Sequence, residues 1–468
     1  MNPFYILAIG MAIVVGGILF LRLHAFLALI LAALTVAVLT SPETVEQFYL
    51  SEGMSAEEAH ALAGKLFVFR VTQGFGVGAG KIGILIAMAA IIGKCMLDSG
   101  AAERIVVWIR RVFGEKRTPM AFSASAFVLG IPVFFDTVFY LLMPLGKAMR
   151  ERTGKDYLLY ILAIVAGATM AHSLVPPTPG PILVALELGI DVGVMMIGGL
   201  IVGAFAVSAG YAYALWANRR WEIPLREGAG VTQIEEGGDS GAKEQRLPPL
   251  WVAISPIALP VLLIGGQTLA KAMGFESGIL RILGDKNIAL ILSAMLSLGM
   301  LAWAKRQSLK ELAEPVQSAL SSGGVIILIT AAGSAFGLTL RQTGITEELR
   351  GVMPETQLLL LVMAFAITTV VRTAQGSATV AMITSVGIVA PLVQGAELDF
   401  HPVYVALAIG CGSKPISWMN DSGFWIIGRM TGMTEAETLK TSSAMMAVMG
   451  ITGLIVILLG ASFVPLAA

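Results

Sequence analysis

Long apolar runs separated by short polar ones dominate the chain. Residues 3–22 and 24–40 read as two spans joined by a tight turn at Arg22-Leu23-His24. An acidic stretch follows, with Glu43, Glu46, Glu52, Glu57 and Glu58, then an amphipathic segment near 61–73 and an apolar helix over 82–97. Residues 104–117, carrying Arg104, Arg110, Arg111, Lys116 and Arg117, predict a basic interfacial helix. Two short apolar pieces, 119–131 and 135–146, flank Gly130-Ile131-Pro132. A full span over 157–175 runs into Pro176-Pro177-Thr178-Pro179-Gly180-Pro181, and another covers 192–217. Apolar runs resume at 250–272, 287–304, 322–340, 357–371, 377–394, 402–412 and 441–465. A helix needs roughly 17–25 apolar residues to cross the hydrocarbon core, so the pattern predicts an all-α polytopic membrane protein with about ten to twelve crossings. Shorter pieces need not cross.

Composition sharpens this picture. Of 468 residues, 56% are hydrophobic and 13% charged, where an ordinary soluble domain carries about 25% charged residues. Net charge is zero and no basic block stands out, which argues against nucleic acid as a partner. Cys95 and Cys411 lie in apolar segments and form neither a disulfide framework nor a metal spacing. The opening Met1-Asn2-Pro3 lacks a basic n-region and reads as a retained first span. Basic residues crowd 104–117 and 147–155, which predicts a cytoplasmic position for them, with the 41–60 loop and the N-terminus outside. The expected setting is the lipid bilayer of a bacterial inner membrane.

The stretch 218–248 is the one long hydrophilic segment, with five basic and six acidic residues, and reads as a linker between halves 1–217 and 249–468. The halves echo one another. Leu97-Asp98-Ser99-Gly100 recurs as Arg341-Gln342-Thr343-Gly344. Similar distances then lead to Gly130-Ile131-Pro132 in one half and to Gln375-Gly376-Ser377 in the other. The break at His172 to Pro181 is matched by Ser413-Lys414-Pro415. Transporters are often built from such repeats, with discontinuous helices meeting at the substrate.

Four polar clusters interrupt the apolar background: Gly130 to Thr137, His172-Ser173 with the prolines after it, Arg372 to Thr379, and Gly412 to Pro415 continuing to Asn420-Asp421-Ser422-Gly423. A charge at the bilayer centre costs roughly 2.5–3.5 kcal/mol on insertion scales, so Asp136, Arg372, Lys414 and Asp421 call for a partner or a role. All four flank glycine or proline breaks. Broken helices expose backbone groups that lipid cannot satisfy, so breaks must line protein or water. Half-helix N-termini and an arginine fork both suit a carboxylate. Together these features describe an anion site. Structural readings stand beside it: Arg372 with Asp136, or Lys414 with Asp421, as ion pairs; Asp136 as a helix cap; His172 as a packing residue. His24, His60 and His401 carry no assignment. No phosphate loop, metal cluster or nucleophile arrangement is present, so an enzyme or an ATP-driven pump is not expected. A passive anion channel is the other alternative.

At these clusters the sequence resembles the gluconate permease (GntP) family of the ion transporter superfamily. The matching stretches are Gly130 to Asp136, the Pro-Pro-x-Pro-Gly-Pro break at 176–181, Arg372-x-Ala-Gln-Gly-Ser-Ala-Thr at 372–379, and Asn420 to Trp425. The resemblance implies a proton-coupled symporter for gluconate or a related sugar acid. It also implies two inverted repeats, helical hairpins that reach the site, and a homodimer working by an elevator motion. Three positions depart from the family pattern: Thr178 and Trp418-Met419 stand where histidines are usual, and Lys414 where an apolar residue is expected.

The resulting expectation is a secondary transporter of a small organic anion. Arg372 and Lys414, with half-helix N-termini near 376–379 and 421–423, hold the carboxylate. Ser377, Thr379, Ser413 and Asn420 take its hydroxyls, and Gln375, Gly376 and Ser422 complete the binding set. Asp136 and Asp421, backed by His172, carry the coupling. No cofactor is expected beyond the coupling ion, a proton with sodium as the alternative.

Overall fold

The computed structural model describes residues 2–114, 117–226, 247–275, 277–306, 311–345, 357–394, 398–419 and 421–466. Every regular element among them is helical. The central part of the expected linker, 227–246, lies outside the described residues.

Four helices lead the chain: α1 (Pro3–Leu19), α2 (Ala25–Leu39), α3 (Pro42–Ser51) and α4 (Ala56–Ala63). Local chemistry sets their starts. Asn2, Ser41 and Ser55 each accept a hydrogen bond from a backbone N–H of the first turn, satisfying donors that a helix start leaves open. The acidic 41–60 stretch is therefore two capped helices, α3 lying 100° off α2. Next comes α5 (Phe67–Asp98), followed by α6 (Ala101–Phe113), the expected basic amphipathic helix, whose Ile105, Val106 and Ile109 are buried. Sequence reading parts 61–73 from 82–97, whereas α5 is one helix of 32 residues. The glycines between are interface residues. A Cβ on Gly74 would lie 2.9 Å from Ala335 Cα, and one on Gly78 2.5 Å from Ser334 Cβ. Such small residues let helix backbones approach closely in lipid.

The partner in that contact is α15 (Ala313–Arg341). The pair is antiparallel, since Gly74 meets Ala335 while Ala90 meets Gly323. Hairpin α7 (Thr118–Leu129) and α8 (Phe135–Thr153) turns at 130–134. Then α9 (Tyr157–Leu174) and α10 (Pro179–Glu187) form one broken span, followed by α11 (Val192–Arg220), α12 (Leu250–Ala272), α13 (Gly278–Leu283) and α14 (Lys286–Lys305). Beyond α15 the same order recurs. Hairpin α16 (Leu358–Gln375) and α17 (Ala378–Gln394) turns at Gly376-Ser377, the interrupted pair α18 (Val403–Gly412) and α19 (Ser422–Thr431) follows, and the long α20 (Glu435–Phe463) ends the series. The echo between the halves thus corresponds to a recurring order of elements.

Seven helices among the described residues are long and apolar enough to cross a membrane, or eight with the bent α2–α3 pair. The larger expected number took several of the shorter apolar runs as crossings. Runs such as 119–131, 377–394 and 402–412 are short helices of hairpins and half-spans instead.

Candidate functional site

All four polar clusters converge, the second through His172 alone. The tip of the first hairpin, the α16–α17 turn and the 413–421 interruption enclose a cavity of about 460 Å³. The proline-rich break contributes nothing to its wall; Pro176 and Pro177 pack against Leu85 and Pro260 elsewhere. His172, one turn earlier on α9, does line it.

Each wall follows from its sequence. Gly376 ends α16 at φ 76°, a left-handed conformation that glycine adopts without the clash a Cβ would bring. Ser377 then starts α17, its Oγ accepting from Val380 N at 3.4 Å. Phe134 is extended and releases the chain into α8, placing Asp136 in the first helical turn, where the macrodipole favours a carboxylate. Between α18 and α19 the chain is irregular and includes Ile416 at φ 55°. Tryptophans staple this segment: Trp418 Nε1 donates to Thr373 O at 2.9 Å and Trp425 Nε1 to Met419 O at 2.6 Å.

The central electrostatic contact is an ion pair from Arg372 Nη2 to Asp421 Oδ2. Arg372 is 4% exposed, and its Nε also donates to Ser413 O at 3.1 Å. Ser417 Oγ donates to the same Asp421 oxygen, and Asp421 Oδ1 accepts from Gly423 N at 2.9 Å, capping α19. The structure therefore pairs Arg372 with Asp421, not with Asp136, and leaves Lys414 outside that pair. The arginine fork and the α19 N-terminus, read from sequence as an open seat for a carboxylate, already hold the carboxylate of Asp421. Arg372 retains one buried nitrogen, Nη1, with no hydrogen-bond partner among the described residues.

Lys414 is different. It is 3% exposed, and its Nζ donates to Thr169 O at 2.9 Å. It makes no ion pair among the described residues. An ammonium group has three donors and prefers an anion to a carbonyl alone. Asp136 also lines the cavity without a hydrogen bond or ion pair among the described residues. Between these groups, His172 Nε2 lies 3.3 Å from Thr379 Oγ1, and its ring meets that of Phe134 edge-on at 5.6 Å between centroids.

Asp136, His172, Arg372, Ser377, Thr379, Lys414, Asp421 and Ser422 all border the cavity. Ser413 does not: its hydroxyl donates to Gly410 O at 2.7 Å and its carbonyl serves Arg372. Gly376 shapes the turn from behind. Asn420 and the side chain of Gln375 lie outside the described residues. Sequence reading placed Thr137 in a polar cluster without giving it a role and missed Thr169 and Ser322; all three add hydroxyl-bearing side chains to the wall. Ser322 sits in an otherwise ordinary apolar span, with only the run Ser321-Ser322-Gly323-Gly324 as a signal. Of the three departures from the family pattern, only Lys414 reaches the cavity; Thr178 is buried with its hydroxyl on Val175 O at 2.7 Å.

Comparison with known proteins agrees with this architecture. The profile described as GntP family permease matches residues 2–464. The chain is 30% identical to a gluconate permease of Pseudomonas aeruginosa, over 97% of each protein. It is 31% identical to the inner membrane permease YgbN of Escherichia coli, over 93% of each. A Gnt-II system L-idonate transporter of the same organism is 26% identical, over 97% of this chain and 98% of that protein. Among solved structures, Neisseria gonorrhoeae MtrF superposes with a TM-score of 0.63 at 14% identity, covering 84% of this chain and 83% of that one. The Alcanivorax borkumensis YdaH transporter gives 0.56 at 11% identity, over 85% and 89%. These two likenesses concern the fold alone.

Proposed function

This chain belongs to the GntP permease family, and from that premise we propose that it carries gluconate or a related sugar acid across a bacterial inner membrane together with a proton. The observation that carries this reading is Lys414, a buried cation with no ion pair among the described residues, facing a cavity of about 460 Å³ rimmed by hydroxyl groups. The carboxylate of the substrate supplies the missing partner. Its hydroxyls face Thr137, Ser322, Ser377, Thr379 and the Asp136 carboxylate, which together offer both donors and acceptors to a polyol chain.

Charge arithmetic supports the coupling. Two cations, Arg372 and Lys414, and two carboxylates, Asp136 and Asp421, border the cavity, and they cancel when all are ionised. A monoanionic substrate would leave one uncompensated negative charge in a low-dielectric site, which is costly. A proton on Asp136, the carboxylate with no fixed partner, restores neutrality. Asp421 keeps its charge in this scheme, bound to Arg372, Ser417 and the α19 N-terminus. An elevator motion within a homodimer, with the halves acting as inverted repeats, completes the proposal.

The test is uptake of radiolabelled gluconate into proteoliposomes. Replacing Lys414 by Met is expected to weaken binding by about tenfold or more, or ~1.4 kcal/mol. Unaltered affinity in that variant would remove the carboxylate partner. Stimulation of uptake by an imposed sodium gradient, with none from a pH gradient, would replace the proton by sodium.

A further inference from the structure

Behind the first hairpin lies a second, smaller cavity of about 90 Å³, between α5 and α15. Phe134, Thr137 and Ser322 border both cavities, so the two adjoin at the hairpin tip. The hairpin tip presses directly on α5 at this point: a Cβ on Gly93 would lie 2.9 Å from Pro132 O. The next residue, Lys94, reaches into the smaller cavity beside Ser318 and Ser322. Its Nζ lies 3.0 Å from Asp98 Oδ1, with the two side chains 35% and 19% exposed.

Resting on the function proposed above, we infer that this cleft is an outer anion subsite, through which the carboxylate of the substrate passes on its way between solvent and Lys414. The chemistry is that of a staging site. Lys94 offers a cation with donors beyond the one on Asp98, Ser318 offers a hydroxyl, Ser322 must turn its own from Ser318 O at 3.2 Å to join it, and the volume accepts the charged end of a sugar acid but not the whole molecule. Phe134, its ring braced edge-on against His172, divides the staging site from the main cavity and is the side chain that must turn aside. Asp98 orients the ammonium group and moderates its pull, so that the anion is attracted without being held.

An ion pair four residues apart on one helix is also an ordinary helix-stabilising contact, and the experiment separates the two roles by sign. Breaking the pair from either end removes the same contact, but the two substitutions change the potential of the cleft in opposite directions. Gluconate transport is measured in right-side-out and inverted membrane vesicles, so that each face is assayed separately. Lys94→Gln is expected to raise KM on one face by about threefold or more, because the remaining carboxylate repels the anion. Asp98→Asn is expected to lower KM on that same face, and Lys94→Arg to preserve it. High salt should shrink both shifts, since the groups are partly exposed. If the Gln and Asn variants move KM in the same direction, or neither moves it, the subsite is wrong while the function proposed for the main cavity stands. Wild-type vesicles that transport neither gluconate nor a related sugar acid such as idonate from either face would overturn that function, and the subsite with it.

Discussion

Arg372 and Asp421 show how much of the site is internal bookkeeping of charge. Each is nearly buried, and removing one partner strands the other, a loss of about 3–5 kcal/mol for a buried pair. Arg372→Met and Asp421→Leu alone should each lower the thermal unfolding midpoint sharply. The double variant should regain much of that loss, because two apolar side chains leave no uncompensated charge; a double variant as unstable as the sum of the singles would contradict the pairing. The existence of these charged residues was legible in the sequence, since charge flanking glycine and proline inside apolar runs is rare enough to notice. Who pairs with whom was not. Four charges on three segments admit several pairings, and only the packing of α16 beside the 413–421 interruption selects Arg372 with Asp421. Ser417 escaped notice for the same reason: a serine becomes informative only once its hydroxyl is seen on a carboxylate.

At the level of elements, hydropathy located almost every helix but parted α5 in two at its glycine-rich stretch. Glycine is read as a break when only chain order is visible, yet Gly74 and Gly78 lie inside α5 because α15 passes so close that a side chain has no room. By contrast, Gly76 on the same helix has nothing within 4 Å of its missing Cβ. Substituting Gly78 by Val should therefore destabilise the protein by about 1–3 kcal/mol through overpacking. Gly76→Ala should be neutral or slightly stabilising, as Ala is the better helix former. Thermal unfolding in detergent reads both, and equal effects at the two positions would remove the close-packed seam as the explanation. The short helices were also visible in sequence as runs. The glycine and proline breaks marked the halves of interrupted spans, but the arms of hairpins were expected only through the family resemblance, because length alone does not say whether a helix turns back.

For the molecule as a whole, the balance of charge around the cavity sets how transport responds to the membrane. An empty site with cancelling charges, and a site loaded with one anion and one proton, carry the same net charge across the bilayer. Uptake should then follow the pH gradient and ignore an imposed potential, which proteoliposomes with a potassium diffusion potential would check. Asp136→Asn, a permanent stand-in for the protonated acid, should abolish the response to pH while leaving exchange of internal for external gluconate intact. Uptake that rises with a negative-inside potential would require a second coupling cation. One further feature concerns how the protein comes to exist at all. The broken span α9–α10 has a mean hydropathy of 2.0, enough to cross a membrane, yet 94% of its most apolar window is buried. Its neighbours come from both sides of the linker, among them α7 and α11 before it and α17 and α18 after it. A nascent chain that has reached the linker thus presents to lipid a flank made for protein, and only the later-born half can cover it.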